Sequence, residues 1–278
     1  MKRRNYILLI LTILFLDTPS YAKNYTVFDV IGDSISAGVN PDYFSYTTTY
    51  GWVQMLFGQG GGIFPPAKTN TIYTLWSDIT VYTSARSGSK ASDWAANTGW
   101  LAAVKNHHPD LVVVYIGGND MLAYCADGNI TSSEFEQYRT NLTSIITSLQ
   151  ANIPKPDIIL VNYYDLFDGY SQNLPVLFAA YRPISYGAVT GNQVICEVAL
   201  ETGCYLVDNI YSDFMHHCYG IELGDPNHQL PNYVRTPLTN FDIHPNTNGH
   251  SKIYENIYSQ ISTLKNITTL VNSWVFYH

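Results

Sequence analysis

Positive charge is scarce in this chain: 14 lysines and arginines stand against 22 aspartates and glutamates, a formal net charge of -8. That balance argues against a nucleic-acid partner, whose phosphates call for a basic surface. Long hydrophobic runs are missing after Ala22, so nothing there reads as a membrane span. Internal repeats and low-complexity tracts are missing too, which leaves an ordinary globular chain. The glycine-rich stretch Gly58-Gln59-Gly60-Gly61-Gly62 follows no strand and is not closed by a lysine with Ser or Thr, so it is not a phosphate loop. Cys218 follows His216 and His217, but this spacing fits no zinc-ligand pattern, and no metal is expected.

At the amino end, Lys2, Arg3 and Arg4 precede an apolar run from Tyr6 to Leu16 that is too short to cross a bilayer. Pro19, Ser20 and Ala22 complete the pattern of a signal peptide over residues 1–22, cleaved after Ala22, which implies a secreted or periplasmic protein. Losing three basic residues and one acidic one lowers the net charge from -8 to -10. Residues 23–278 suffice for a single α/β domain with a large core. Four cysteines, Cys125, Cys196, Cys204 and Cys218, form an even set in a chain routed to an oxidising compartment. One or two disulfides are therefore expected, with the pairing open.

Five short runs rich in β-branched and aromatic residues read as strands: Thr26 to Ile31, Ile79 to Ser84, Leu111 to Ile116, Asp157 to Asn162 and Cys204 to Val207. They are nearly continuous in apolar character, as strands covered on both faces of a parallel sheet are. Helical spacing runs from Ala91 to Asn106, Ser132 to Asn152, Ala188 to Glu201 and about Asn248 to Asn272. This βαβα order predicts a three-layer α/β/α doubly wound sheet of about five parallel strands, with its ligand site beyond the carboxyl ends of the strands. The stretches Tyr163 to Tyr186 and Asn209 to Asn240, rich in Tyr, Pro, Asn and Asp, read as loops forming the walls of that site.

Chemistry is looked for at the strand ends. The first strand leads into Gly32-Asp33-Ser34, where a serine stands at the mouth of the crevice; a serine there also serves as a helix N-cap. Near the other end, Asp242-Ile243-His244-Pro245-Asn246 precedes the last helix and supplies a histidine with a carboxylate two residues before it. His107, His108, His216, His217, His228, His250 and His278 read instead as ordinary core or surface residues. Ser87-Gly88-Ser89 and Gly117-Gly118-Asn119-Asp120 follow the second and third strands. The N–H of Gly88, the side-chain amide of Asn119 and the N–H of Ser34 could together hold an oxyanion; singly, each also makes an ordinary turn or cap.

Ser34, Gly88, Asn119 and His244, in this order in four loops, resemble the SGNH or GDSL hydrolases, a family named for these four blocks. The resemblance covers the chain from the first strand to the last helix. It implies a flavodoxin-like fold and a serine ester hydrolase, with Ser34 as nucleophile and His244 as general base. The oxyanion hole would be built from Ser34, Gly88 and Asn119, with no metal or organic cofactor. The sequence departs from the family at the orienting acid: the position three before the histidine is Phe241, so Asp242 or a backbone carbonyl would hold the imidazole. The expected partner is a small-molecule ester or lipid met by a monomer, with transient contact to a membrane surface where the ester is a lipid. Acyl-lipid, lysophospholipid and acetylated-sugar esters all fit. So does an acyltransferase using the same site with an alcohol acceptor. A secreted carbohydrate-binding module without catalysis is the reading from another class. The 23 tyrosines, among them Tyr43, Tyr46, Tyr50, Tyr163, Tyr164, Tyr170, Tyr181 and Tyr186, either line a substrate or simply pack half-buried loops.

Overall fold

The computed structural model describes residues 23–43 and 49–275, so the signal peptide read over residues 1–22 and Tyr46 lie outside the described residues. Five strands, β1 Val27–Gly32, β2 Thr80–Thr83, β3 Leu111–Tyr115, β4 Asp157–Val161 and β5 Tyr205–Val207, form one parallel sheet in the order β2-β1-β3-β4-β5. The chain steps from β1 to one side and then returns to the other, so strand order reverses between β1 and β3. The carboxyl ends of those two strands open the crevice in which such sheets bind ligands. Each strand expected from the sequence is present within a residue or two of its bounds.

Burial divides the strands. Every residue of β3 is buried, as are five of the six in β1, and Val30 aligns with Val113, itself aligned with Ile159 of β4. Such two-sided burial produces the continuous apolar runs. Strand β2 departs from that expectation: as an edge strand it is exposed or half-buried throughout, and Tyr82 covers itself only by stacking on His107 at 3.8 Å.

The helices are α1 Ser34–Ala37, α2 Trp52–Leu56, α3 Ile72–Leu75, α4 Ala91–Ala96, α5 Thr98–Asn106, α6 Gly118–Tyr124, α7 Ser132–Gln150, α8 Ile184–Thr202, α9 Ile210–Phe214, α10 Gly220–Leu223 and α11 Thr247–Val275. Helix α11 packs with α2, α3 and α9, and the other set is α4, α5, α7 and α8. Local chemistry sets the ends. Thr131 and Glu134 cap each other at the start of α7, with the Thr131 N–H donating to Glu134 Oε2 at 2.7 Å. The single helical stretch expected over Ala91 to Asn106 is broken in two, because Asn97 ends α4 and its side chain accepts the Trp100 N–H at 3.1 Å to begin α5. Helix α8 begins four residues before the expected Ala188, directly after Pro183, and takes Ile184, Ser185 and Tyr186 out of the anticipated loop. The stretch expected as a loop over Asn209 to Asn240 carries the short helices α9 and α10.

The disulfides expected from the even cysteine count are not formed; all four thiols are free. Cys125 and Cys218 are buried, Cys204 is half-buried, and Cys196 lies exposed on α8. Each thiol has its own surroundings: Cys218 Sγ donates to the Phe214 carbonyl, and Cys204 Sγ accepts from Thr202 Oγ1. Among the described residues no helix is long and apolar enough to cross a membrane.

Candidate active site

Backbone packing fixes the first component of the site. A Cβ on Gly32 would lie 2.3 Å from Ser36 Oγ and 2.7 Å from the Tyr115 carbonyl oxygen, so only glycine lets β1 run this close to β3 and α1. Asp33 caps α1, its Oδ1 accepting the Ile35 N–H at 2.9 Å. Ser34 is then the first helical residue, and its own N–H has no acceptor within the helix. Ser34 lines the cleft beyond the strands.

His244 arrives from 210 positions further along, and Ser34 Oγ lies 2.9 Å from its Nε2. On the far side of the ring, Nδ1 is 2.5 Å from Asp242 Oδ1, which also accepts the His244 backbone N–H at 2.9 Å. An ionised carboxylate can only accept, so Nδ1 carries the proton and Nε2 is left to accept from the serine hydroxyl. Of the two orienters the sequence left open, the structure brings the Asp242 carboxylate to Nδ1. Burial works to raise Asp242, but the hydrogen bonds from His244 and the charges around it outweigh burial and hold the carboxyl below its ordinary range.

The loop bearing His244 is held by tyrosine hydroxyls. Tyr219 Oη accepts the Asp242 N–H at 3.0 Å and donates to the Arg235 carbonyl at 2.7 Å, while Tyr164 donates to the Ile243 carbonyl at 2.7 Å. Tyr219 is itself clamped by Asp168, whose carboxylate accepts the N–H groups of Cys218 at 3.0 Å and Gly220 at 2.9 Å on either side of it. Asn246 ties the loop's other end to the Asn232 and Val234 carbonyls. Behind both components, His250 in the first turns of α11 accepts the Trp52 N–H on Nδ1 at 3.3 Å and donates from Nε2 to the Val39 carbonyl at 2.9 Å. Complete burial lowers its pKa to about 4, so it is neutral and structural, as read from the sequence.

The third block splits its duties. Gly117 adopts φ 140°, with the Tyr138 hydroxyl 2.3 Å from where a Cβ would stand. Asn119 then lines the cleft; one of its two amide hydrogens goes to the Ser89 carbonyl at 3.0 Å, which leaves the other. Asp120 turns inward, is pushed up to about 6 by burial, and accepts the Ala91 N–H at the start of α4. Gly88 sits in an exposed turn with φ 79° and is not among the cleft-lining residues, whereas Gly118 is. Through Ser89 its loop is nonetheless tied to Asn119.

The cleft is open to solvent at its mouth, and its walls are apolar, including Ile35, Leu122, Leu166, Ile184 and Ile243. Asp33 lies in its floor, where Oδ2 accepts the Tyr163 hydroxyl at 2.8 Å and burial pushes the carboxyl up to about 6. Of the tyrosines weighed from the sequence, Tyr163 and Tyr164 line the cleft. Tyr43 and Tyr50 instead pack with Phe64, Tyr181 packs on Phe241, and Tyr186 stands against Phe135. The contributions of Asp33, Asp168 and Tyr219 are not assigned from the sequence: Asp33 stands inside the Gly32-Asp33-Ser34 block, and the only signal for Asp168 and Tyr219 is the crowding of Tyr and Asp in the two long loop segments.

One group among the described residues has the makings of a metal site: Asp168, Asp225 and His228 each bring a ligand atom within 4.8 Å of the others. Both carboxylates already have other partners. Asp168 holds three backbone N–H groups, including that of His216, and Asp225 holds the Asn227 N–H and the His216 ring. His216 and Cys218, paired on the sequence as potential ligands, thus meet Asp168 through their backbone.

Comparison with known proteins bears on the fold and the family. No curated protein matches the chain. Among solved structures, the acetylxylan esterase Axe2 from Geobacillus stearothermophilus is 18% identical, covers 85% of this chain and 94% of its own, and superposes with a TM-score of 0.55. TesA is 21% identical over 86% of this chain and 99% of its own, with a TM-score of 0.53. The acetyl xylan esterase AlAXEase is 17% identical over 84% and 98%, with a TM-score of 0.56. At such identities the likeness is one of fold. The profile of the GDSL-like lipase/acylhydrolase family matches residues 30–252, from within β1 to the second turn of α11. The chain belongs to the GDSL-like lipase/acylhydrolase family and is a carboxylic ester hydrolase.

Proposed function

We propose that this enzyme hydrolyses esters of apolar acyl groups through an acyl-enzyme on Ser34. The observation that carries the reading is the continuous hydrogen-bonded chain from Ser34 Oγ through His244 to Asp242, standing at an apolar cleft. Ser34 Oγ attacks the ester carbonyl as His244 Nε2 takes its proton, and Asp242 stabilises the imidazolium. Negative charge developing on the carbonyl oxygen is met by the Ser34 N–H and the free amide hydrogen of Asn119; Gly88, exposed and outside the cleft lining, is given no part in this step. The tetrahedral adduct expels the alcohol, which takes the proton from His244. A water activated by the same ring then releases the acid and restores Ser34.

The acyl preference follows from the walls. Each methylene buried against Ile35, Leu122, Leu166 or Ile184 contributes about 0.8 kcal/mol, whereas an acetyl group leaves that surface unused. Acyl lipids therefore suit the cleft better than acetylated sugars. The export signal over residues 1–22 goes with this reading, and the mature chain is expected to begin at Lys23.

A fluorophosphonate probe tests the nucleophile: covalent capture is expected on the folded protein and absent in Ser34→Ala. A p-nitrophenyl ester series from acetyl to palmitoyl tests the substrate class, with kcat/KM expected to rise from acetyl towards medium chains. A folded protein that takes no label refutes the acyl-enzyme, and a preference for acetyl refutes the acyl-lipid assignment.

A further inference from the structure

Beyond the cleft lies a second, much smaller cavity between α6 and α8, with room at rest for about one water molecule, bordered by Gly187, Gly191 and Ile195. Met121, Tyr163 and Ala188 line both spaces, so they form the partition between them. Two of the three are fixed: Tyr163 by its bonds to Asp33 and to Asn192, and Ala188 because its methyl group has no rotamer to change. Met121 is an unbranched thioether with three rotatable bonds and no polar tether, the side chain best able to shift into another rotamer.

Its resting position depends on the glycines of α8. A Cβ on Gly191 would come within 3.1 Å of Met121 Sδ and 3.4 Å of its Cε, so the absence of a side chain at 191 lets the thioether lie flat against the helix. A Cβ on Gly187 would come within 2.7 Å of Ile130 Cδ1, so α8 is pressed close to its neighbours there as well.

Resting on the proposed acyl-enzyme reading, we infer that the inner cavity is the distal part of the acyl-binding site and that Met121 sets the usable acyl length. A short chain ends against the thioether. A longer one must turn Met121 aside, and the room the thioether vacates joins the small space walled by Gly117, Tyr138 and Ile195, which together bury about one or two further methylenes. Met121 is thus a specificity-determining residue with no part in bond making.

The test compares wild type, Met121→Ala and Gly191→Ala on p-nitrophenyl butyrate, octanoate and dodecanoate. Each methylene gained in an apolar site is worth about fourfold in kcat/KM. Met121→Ala opens the partition, and its dodecanoate-to-butyrate ratio is expected to rise about tenfold over wild type. Gly191→Ala pushes the thioether off the helix into the passage, and the same ratio is expected to fall, with butyrate turnover nearly unchanged. Ratios that stay constant in both variants overturn the inference. A readout without catalysis separates it from the acyl-enzyme reading: in a Ser34→Ala background, thermal stabilisation by methyl decanoate relative to methyl hexanoate should increase when Met121 is also Ala. If wild type cleaves no ester but this difference appears, the reading of the reaction fails and the partition stands. If esters are cleaved and neither ratio nor stabilisation responds to Met121, the partition fails alone.

Discussion

Ser34 and His244 are positioned by unlike means. Ser34 rides on backbone: β1 is buried in the sheet, Gly32 is pressed against Ser36 and Tyr115, and Asp33 caps the turn that follows. His244 rides on side chains, in a loop hung from the hydroxyls of Tyr219 and Tyr164 and from the amide of Asn246. The first arrangement is written in consecutive residues; the second depends on partners far apart in the chain. A backbone mount couples the site to stability, whereas a side-chain mount can be loosened while the fold stays whole.

The comparison can be broken or sharpened by experiment, taking the largest effect first. Among the described residues it is Asp242 that meets His244 Nδ1, so on the proposed mechanism Asp242→Ala should lower kcat about 10⁴-fold. An Asp242→Ala enzyme retaining a tenth of its activity would show that the mount alone orients the ring. On the proposed mechanism Asn119→Ala removes one donor to the oxyanion, and single-turnover kinetics should show a loss of about 10²–10³-fold with little change in Tm.

His250 ties the two mounts together and gives a pH signature. Its folded pKa of about 4 lies below the unfolded 6.5. The unfolded chain therefore binds a proton that the folded one refuses, and the contribution is full above pH 6.5 and lost as pH falls through about 4. The stability gap between wild type and His250→Asn, from urea titrations, should shrink by up to about 3 kcal/mol between pH 7 and pH 4. A gap independent of pH excludes His250 as the titrating group.

The smallest effects distinguish the mounts directly. Gly32→Ala should cost about 1–3 kcal/mol through overpacking, read as a fall of several degrees in Tm. Tyr219→Phe keeps the ring and loses hydrogen bonds of about 1 kcal/mol, so Tm should fall by only about 2–4 °C while kcat falls about tenfold. Equal losses of Tm in the two variants would erase the distinction.

The same contrast explains what could be read from sequence. The buried strands β1, β3 and β4 announce themselves because burial on both faces leaves only apolar residues; β2, on the edge, is found by its β-branched content but not by its exposure. Ser34, Asn119 and His244 are legible since each follows a strand or precedes a helix within a few residues. Asp242 is legible because it lies beside its partner. Tyr163, which meets Asp33 across 130 positions, and Tyr219, which meets Asp242 across 23, are not: where a hydroxyl ends up depends on packing between elements. The disulfide expectation failed for a related reason, since an even cysteine count speaks of compartment and carries no information on distance.

The 210-residue interval between Ser34 and His244 has a consequence for the life of the molecule. Nearly the whole domain must emerge from the ribosome and dock its last helix beside α2 before serine and imidazole can meet. Contacts of such long range form late. A nascent or half-assembled chain is thus chemically inert, and the first turnover reports that assembly is complete.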